Sequence, residues 1–283
     1  VNGPTQISML NADSFAVLRT LQLPVGVTAM AVDPQLGRLF VVDRTGILRI
    51  LDVHTLKQLS SRHVSGGAAQ LAVDTRAGRV LVLDTVAGTV TTVDSTRGTV
   101  VAVASVDPDA SGIQVDEHTG HVFVESIGTS GFGLERAGPG SVSMLDAAGG
   151  RLLRTIPVGS LPFGAALDAT HHRLFVSSFD STAIGSGRVQ VLDTANGTLL
   201  RTIVVPTSPF SITVDARQEH LAVTGLSGSD AQSSSGWMNA IDDMRQLLKA
   251  ATPAPTPAAP QGGLALQGGM YAQSAVSVVQ AGN

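Results

Sequence analysis

The feature that most constrains the fold is an internal repeat. Five segments align along the chain, and each places an aspartate directly after an apolar run. A short polar turn and a second apolar run follow each aspartate. The aspartates are Asp33, Asp74, Asp116, Asp168 and Asp215, spaced 41 to 52 residues apart. This period is typical of a supersecondary unit that buries its core only when neighbouring copies stack.

A second unit alternates with the first. It reads GILRILDVHTLKQL in its first copy and GRVQVLDTANGTLLRTI in its fourth. Alternation with a period of two indicates strands, and Asp and Gly between the runs favour tight hairpins. Each repeat therefore predicts four strands, a to d, in an antiparallel meander. The aspartates of this unit are Asp52, Asp94, Asp146 and Asp193, with Asp242 a looser fifth match.

Radial stacking of such units gives an all-β propeller of four-stranded antiparallel blades. The chain enters in the middle of a blade, because the segment from Thr5 matches strands c and d. Five repeats follow, and strands from 264–283 could complete the first blade and close a ring of six. Seven blades fit if the chain is a fragment or this segment forms more strands. We expect repeats over 1–251 and a Pro/Ala/Gly linker over 252–263, while 237–251 fits either a helix or strands.

The repeats also resemble a known family. TIPVGSLPFGAALDATHHRLFVSSFDS followed by GSGRVQVLDTANGTLLRTIVV is similar to the YVTN-type, WD40-like propeller repeat over residues 5–225. The second-strand motif is degenerate here, reading LFVVD, VLVLD, VFVES, LFVSS and LAVTG. The resemblance implies a propeller that serves as a scaffold, a binder or occasionally an enzyme. It also implies an extracytoplasmic location, whether periplasmic, cell-surface or secreted.

Composition excludes several classes of function. The chain has no cysteine, which rules out disulfides, zinc–thiolate sites, iron–sulfur clusters and a cysteine nucleophile. Its formal net charge of −4 offers no electrostatic footprint for nucleic acid. No apolar run is long enough for a transmembrane segment. The chain starts at Val1, which fits either a removed secretory signal or a truncated sequence.

The connections between strands b and c depart from the repeat. From the end of strand b to the glycine opening strand c they take three residues at Asp43 and four at Asp84. In the next three repeats they take fourteen, nine and eleven residues, over 126–140, 178–187 and 225–236. Insertions confined to one face of a repeat protein often mark its binding surface. The alternative is that surface loops simply tolerate added length.

We therefore predict a non-enzymatic binding or interaction scaffold that uses 126–140, 178–187 and 225–237. A protein partner or larger assembly is favoured, no cofactor is expected, and a small-molecule ligand stays open. The predicted binding residues are Phe132, Leu134, Glu135, Arg136, Phe179, Asp180, Asp230 and Trp237. They are the large or charged side chains of otherwise Gly/Ser-rich loops.

Two other interpretations stay open. A propeller lyase or hydrolase would place its site at the same mouth, with Glu125, Glu135, Asp180 and Asp230 as candidates. The innermost strands offer only Gln70 and Gln114 as polar amides, which argues against a cation in the central tunnel. Alternatively, the chain is a structural subunit docked through 252–283.

The histidines invite a metal-site interpretation, above all the adjacent pair His171 and His172 in DATHHRLFV. Alignment places them, with His118, His121 and His220, in or beside the a–b turns. These turns lie opposite the insertions and on different blades, so the side chains need not converge. We interpret these histidines as exposed turn residues and predict no metal site. We interpret the repeated aspartates as turn caps, because a catalytic carboxylate has no reason to recur in every repeat.

Overall fold

The computed structural model describes residues 5–66, 69–107, 109–128, 139–148, 150–179, 187–206, 208–217 and 220–226. Within these ranges the chain forms nineteen strands, all of which pair antiparallel, and no helix. The predicted all-β class is therefore confirmed. The predictions for 237–251, 252–263 and 264–283 lie outside the described residues.

The first strands form a hairpin and two four-stranded sheets. The hairpin consists of β1 (Thr5–Leu10) and β2 (Val17–Leu23). The first sheet consists of β3 (Val27–Asp33), β4 (Arg38–Asp43), β5 (Ile47–Asp52) and β6 (Gln58–His63). The second sheet consists of β7 (Ala69–Asp74), β8 (Arg79–Asp84), β9 (Thr89–Asp94) and β10 (Val100–Ser105). In both sheets the order along the sheet follows the chain, so the predicted meander is confirmed.

The next two repeats share one strand. Their elements are β11 (Ala110–Asp116), β12 (His121–Ser126), β13 (Pro139–Asp146), β14 (Leu152–Asp168), β15 (Arg173–Phe179), β16 (Gly187–Asp193) and β17 (Leu199–Val205). The 17-residue β14 pairs with β13 through its first half and with β15 through its second half. Ser160 pairs on both sides, with Pro139 and with Phe179. We call β11–β13 with the first half of β14 the third sheet, and the remainder through β17 the fourth sheet.

A last hairpin, β18 (Ser208–Asp215) and β19 (His220–Leu226), follows the fourth sheet. The first strands of successive repeats contact each other in order: β3 with β7, β7 with β11, β11 with β14, and β14 with β18. Apolar side chains fill the space between neighbouring sheets. For example, Phe40 and Val42 of β4 pack with Val80 and Val82 of β8, and all four are fully buried. Burial of these faces supplies the main force that holds one sheet against the next.

The repeated aspartates cap turns. Asp33 Oδ1 accepts hydrogen bonds from the backbone N–H groups of Gln35 and Leu36, both at 2.9 Å. Asp94 does the same in the second unit, accepting from Thr96 at 3.0 Å and Arg97 at 2.8 Å. The turn-cap interpretation is therefore confirmed at these positions. The remaining aspartates of the two units each accept at least one backbone N–H hydrogen bond within their turns: Asp52, Asp74, Asp116, Asp146, Asp168, Asp193 and Asp215.

Hydrogen bonds between neighbouring sheets occur at both ends of the strands, which we name the loop end and the turn end. At the loop end, which carries the b–c connections, Gln70 Nε2 donates to the Ser111 carbonyl at 2.7 Å. Ser111 Oγ donates in turn to the Pro162 carbonyl at 3.2 Å. At the turn end, which carries the a–b and c–d turns, Thr75 N–H donates to Glu117 Oε1 at 2.9 Å. The connections between β12 and β13 and between β15 and β16 therefore both lie at the loop end.

Candidate functional site

A buried carboxyl group lies at the loop end of the third sheet. Glu125 is the fifth residue of β12, where β4 has Val42 and β8 has Leu83. Its backbone pairs with Gly112 on one side and Val142 on the other. The repeat therefore provides an apolar core position here, and the third repeat fills it with an acid.

The surroundings of Glu125 favour its neutral form. The residue is 2% exposed, and its Oε1 has no hydrogen-bond partner within the described part of the chain. Burial raises the pKa of Glu125 to about 8, because a carboxylate loses its hydration there. Glu125 is therefore mainly a protonated acid near neutral pH, able to donate a hydrogen bond.

Gly112 provides the space for this acid. A Cβ at position 112 would collide with Oε2 of Glu125. An added Cβ would therefore displace this carboxyl group, and the positions that pair with Val42 and Leu83 are Ala29 and Gln70. The Gly112–Glu125 pair is thus a joint departure of the third repeat from the first two.

Buried hydroxyl groups surround the same end. Ser126 Oγ donates to the Asp107 carbonyl at 3.0 Å, and Ser141 Oγ donates to the Asp107 carboxylate. In the fourth sheet, Ser178 is fully buried and its Oγ has no partner among the described residues. A Cβ at Gly159 would collide with that hydroxyl. Buried polar groups without partners are rare in folded proteins and are more often found at functional sites.

The structure describes few of the predicted binding residues. Phe179 is the last residue of β15 and pairs with Ser160 and Gly187 through its backbone. The others lie outside the described residues: Phe132, Leu134, Glu135, Arg136, Asp180, Asp230 and Trp237. Of the candidates for an enzyme site, only Glu125 is described. Sequence reasoning included Glu125 but missed Gly112, although VFVES in place of LFVVD and VLVLD was the available signal.

The turn end brings two histidines of neighbouring repeats near each other. The rings of His118 and His172 lie with their centroids 6.3 Å apart and an interplanar angle of 78°. Their Nδ1 atoms are 3.8 and 3.9 Å from the Asp116 carboxylate. Among the described residues, no group of three or more His, Cys, Asp or Glu side chains could hold a metal ion.

Asp116 is held firmly beneath these rings. Its carboxylate is buried and accepts hydrogen bonds from Thr194 Oγ1 at 2.5 Å and from His118 N–H at 2.9 Å. Burial by itself raises the pKa of Asp116, but these hydrogen bonds outweigh it and lower the pKa below its ordinary value. His121 contributes indirectly, because its Nδ1 lies 2.8 Å from the Thr194 carbonyl. His171 contacts a different carboxylate, because its Nδ1 lies 2.7 Å from Oδ2 of Asp168.

A groove of about 290 Å³ also opens at the turn end, between the second and third sheets. Asp74, His121, Asp146 and Arg151 contribute its ionisable side chains. Burial raises the pKa of Asp74, and the negative charge of Glu117 adds to the increase. The turn-cap hydrogen bonds of Asp74 and Asp146 explain their presence without a ligand.

Comparison with known proteins identifies a fold and no family. No family model matches the chain, and no curated protein sequence matches it. Kuenenia stuttgartiensis hydrazine synthase is similar with a TM-score of 0.60 and 16% identity, over 74% of this chain and 58% of that one. The computationally designed Ika8 protein is similar with a TM-score of 0.59 and 15% identity, over 78% of this chain and 65% of that one. The chain spans less than two thirds of either structure, and at these identities the similarity concerns the fold alone.

The sequence predicts no transmembrane segment. Within the described ranges, no helix is long and apolar enough to cross a bilayer.

Proposed function

We propose that this chain is a β-propeller scaffold that binds a protein partner at the loop end of its third and fourth sheets. The observation that carries the proposal is the change in connection length. Between strands b and c, the first two sheets use 44–46 and 85–88, whereas the next two use 127–138 and 180–186. Four repeats that share the same strand order thus differ in connection length at one end, and loops on a fixed framework are the usual location of recognition residues.

The buried polar groups below these connections support the same assignment. In the first two sheets the fifth residue of strand b is Val42 or Leu83, and the following aspartate caps a short turn. In the third sheet these positions are Glu125 and Ser126. Stability alone favours an apolar residue at the fifth position, because burying an unpaired carboxyl group costs free energy. A recognition role for this end explains why that cost persists.

In the proposed propeller, the observed four-stranded meanders are blades arranged in a closed ring. Its support is the ordered contact of successive first strands and the N-terminal hairpin, which supplies only two of four strands. We propose six blades, with the missing pair coming from 264–283, on the resemblance to YVTN-type repeats. Truncation after residue 263 should then lower the melting temperature markedly, because it opens the ring. An unchanged melting temperature would contradict this closure.

The binding proposal is tested by shortening one connection. Residues 127–138 are replaced by the short connection 85–88 of the second sheet, and tagged protein is used to isolate complexes from the native source. We expect a stoichiometric partner with the unaltered chain and with the turn-end control Arg76→Ala, and loss of that partner with the shortened chain. Retention of the partner by the shortened, folded chain would overturn the proposal, as would a monomer free of partners.

An enzyme at the same end is the second candidate, favoured specifically by the raised pKa of Glu125. A carboxyl group that is protonated near neutral pH is suited to general acid–base chemistry in a lyase or hydrolase. Glu125→Gln distinguishes the candidates, because it would abolish turnover and leave partner binding intact.

An extracytoplasmic location is likewise proposed on the family resemblance, and fractionation of the native cells tests it.

A further inference from the structure

The second sheet ends in an unusual outer strand. Among the described residues, five outer strands pair on one side only: β2, β6, β10, the first half of β14, and β17. Four of these strands carry an arginine, which is Arg19, Arg62, Arg154 or Arg201. β10 reads VVAVAS and carries no charged residue and no proline. Native sheets usually protect an edge with charge or proline, so β10 lacks the protection that the other four have.

The difference is sharpest at the third residue of the outer strand. This residue is an exposed arginine in three repeats and a small residue in two: Arg19, Arg154, Arg201, Ser60 and Ala102. In the third sheet, Arg154 Nη1 donates to the Asn196 carbonyl of the fourth sheet at 3.0 Å. At the equivalent place Ala102 lies against Gly150, where a Cβ would be 2.9 Å from the Ala102 Cβ. The edge of β10 therefore lacks the guanidinium that follows the edge elsewhere.

Exposed valines surround Ala102. Val100, Val101 and Val103 are 40%, 44% and 62% exposed. Ala104, by contrast, is buried in the apolar cluster between the second and third sheets. β10 is thus fixed to its own sheet while most of its apolar side chains face solvent. A strand edge with exposed β-branched side chains can accept a further strand.

We propose that β10 pairs antiparallel with β10 of a second copy of this chain. A two-fold axis near Ala102 brings Val101 of one copy opposite Val103 of the other, and residues opposite each other in antiparallel strands contact through their side chains. Each copy uses the same edge, so the contact is satisfied in a dimer and does not propagate.

The composition of β10 favours its own copy as the occupant. In a self-pairing strand the third residue lies opposite or next to itself, so Arg19, Arg154 or Arg201 would bring like charges together in the other outer strands. Ala102 avoids this repulsion. The competing occupant is the uncharged segment 264–283 of the same chain, which is assigned above to the first blade.

Sedimentation velocity of the full chain tests the dimer, independently of the proposed function. The unaltered chain is measured up to about 100 µM, which populates a dimer with a micromolar dissociation constant. Ala102→Arg installs the residue of three other outer strands, and Val103→Lys adds charge at the most exposed valine of β10. The matched control is Ser60→Arg, which makes the same change in β6.

Both β10 variants are expected to fold, which thermal unfolding checks. Val103 is largely exposed. In the fourth sheet, a Cβ at Gly197 would lie 3.5 Å from the Arg154 stem, so an arginine fits beside the glycine of this turn. If Ala102→Arg does not fold, Val103→Lys decides the outcome.

We expect the unaltered chain and Ser60→Arg to form the dimer, and the two β10 variants to weaken it by about tenfold or more. A monomeric unaltered chain would overturn the proposal, and this is also the result expected if 264–283 covered the edge. Equal dimer formation by folded β10 variants and the unaltered chain would overturn it as well. So would an equal loss of the dimer in Ser60→Arg.

Discussion

The first and second sheets differ from the third and fourth in the residues at equivalent positions and in the connections that follow them. In the first pair, position five of strand b is Val42 or Leu83, and short capped turns follow. In the third sheet this position is Glu125, which lies over Gly112, and a long connection follows. The antiparallel order of the strands is the same in all four. Positions that keep the same residue type in every sheet indicate what the strand framework requires. Positions that depart from the repeat together indicate a different requirement at that place.

Introducing the acid into the first sheet should have the largest effect. Val42→Glu places a carboxyl group in a fully buried apolar cluster opposite Ala29, without the space that Gly112 provides. We expect a loss of about 4 kcal/mol in the free energy of unfolding, measured with urea. Val42→Leu, the residue of the second sheet, is the control and should cost less, about 1–2 kcal/mol for one added methylene. A mild effect of Val42→Glu would show that the framework tolerates acids generally.

The pH dependence of stability comes next. The folded-state pKa of Glu125 is about 8, raised from 4.5 by burial, so the folded chain holds this proton more tightly than the unfolded chain. Its contribution is fully present below pH 4.5 and is lost as pH rises toward 8. We expect a loss of roughly 3 kcal/mol between pH 5 and 8.

Glu125→Gln removes the titrating proton and should flatten this decrease, making the variant the more stable chain at pH 8. Urea unfolding of both chains at pH 5, 6.5 and 8 measures the difference. Parallel pH profiles for the two chains would show that Glu125 is ionised in the folded state.

Gly112 should show a smaller effect that depends on Glu125. Gly112→Ala adds a Cβ that collides with Oε2, and we expect a cost of about 2 kcal/mol. In the background of Glu125→Ala the same substitution should be nearly neutral, because the colliding carboxyl group is gone. A double-mutant cycle with no coupling would contradict the close approach of these two residues.

The smallest effect is expected at the shared turn caps. Asp94→Ala removes two backbone hydrogen bonds in the second sheet and should cost about 1 kcal/mol in thermal or urea unfolding. Asp193→Ala in the fourth sheet is the matched variant and should cost a similar amount. Very different costs would show that the difference between the sheets extends to the turns.

The sequence predicts the local features of this fold well. Strand alternation and the capped turns depend on neighbouring residues, and the hydrogen bonds of Asp33 and Asp94 follow directly from them. The continuous β14 was not predicted, because Ser160 pairs on both sides only once two sheets are in place. The approach of His118 to His172 was also missed, since it joins turns of different repeats.

The approach of Gly112 to Glu125 has a similar explanation. Both residues are visible in the sequence, but only the register of β11 against β12 makes them neighbours. At His172 the signal was present, because alignment placed a histidine where Gly37 stands. Its left-handed backbone angle and its position beside Asp116 are visible only in the structure.

The shared strand β14 has a mechanical consequence. Because Ser160 is paired on both sides, separating the third sheet from the fourth would disturb the pairing of β14 with β13 or with β15. The two long connections therefore begin on sheets that share one continuous strand. A partner that engages both would be spared much of the entropy cost of aligning them.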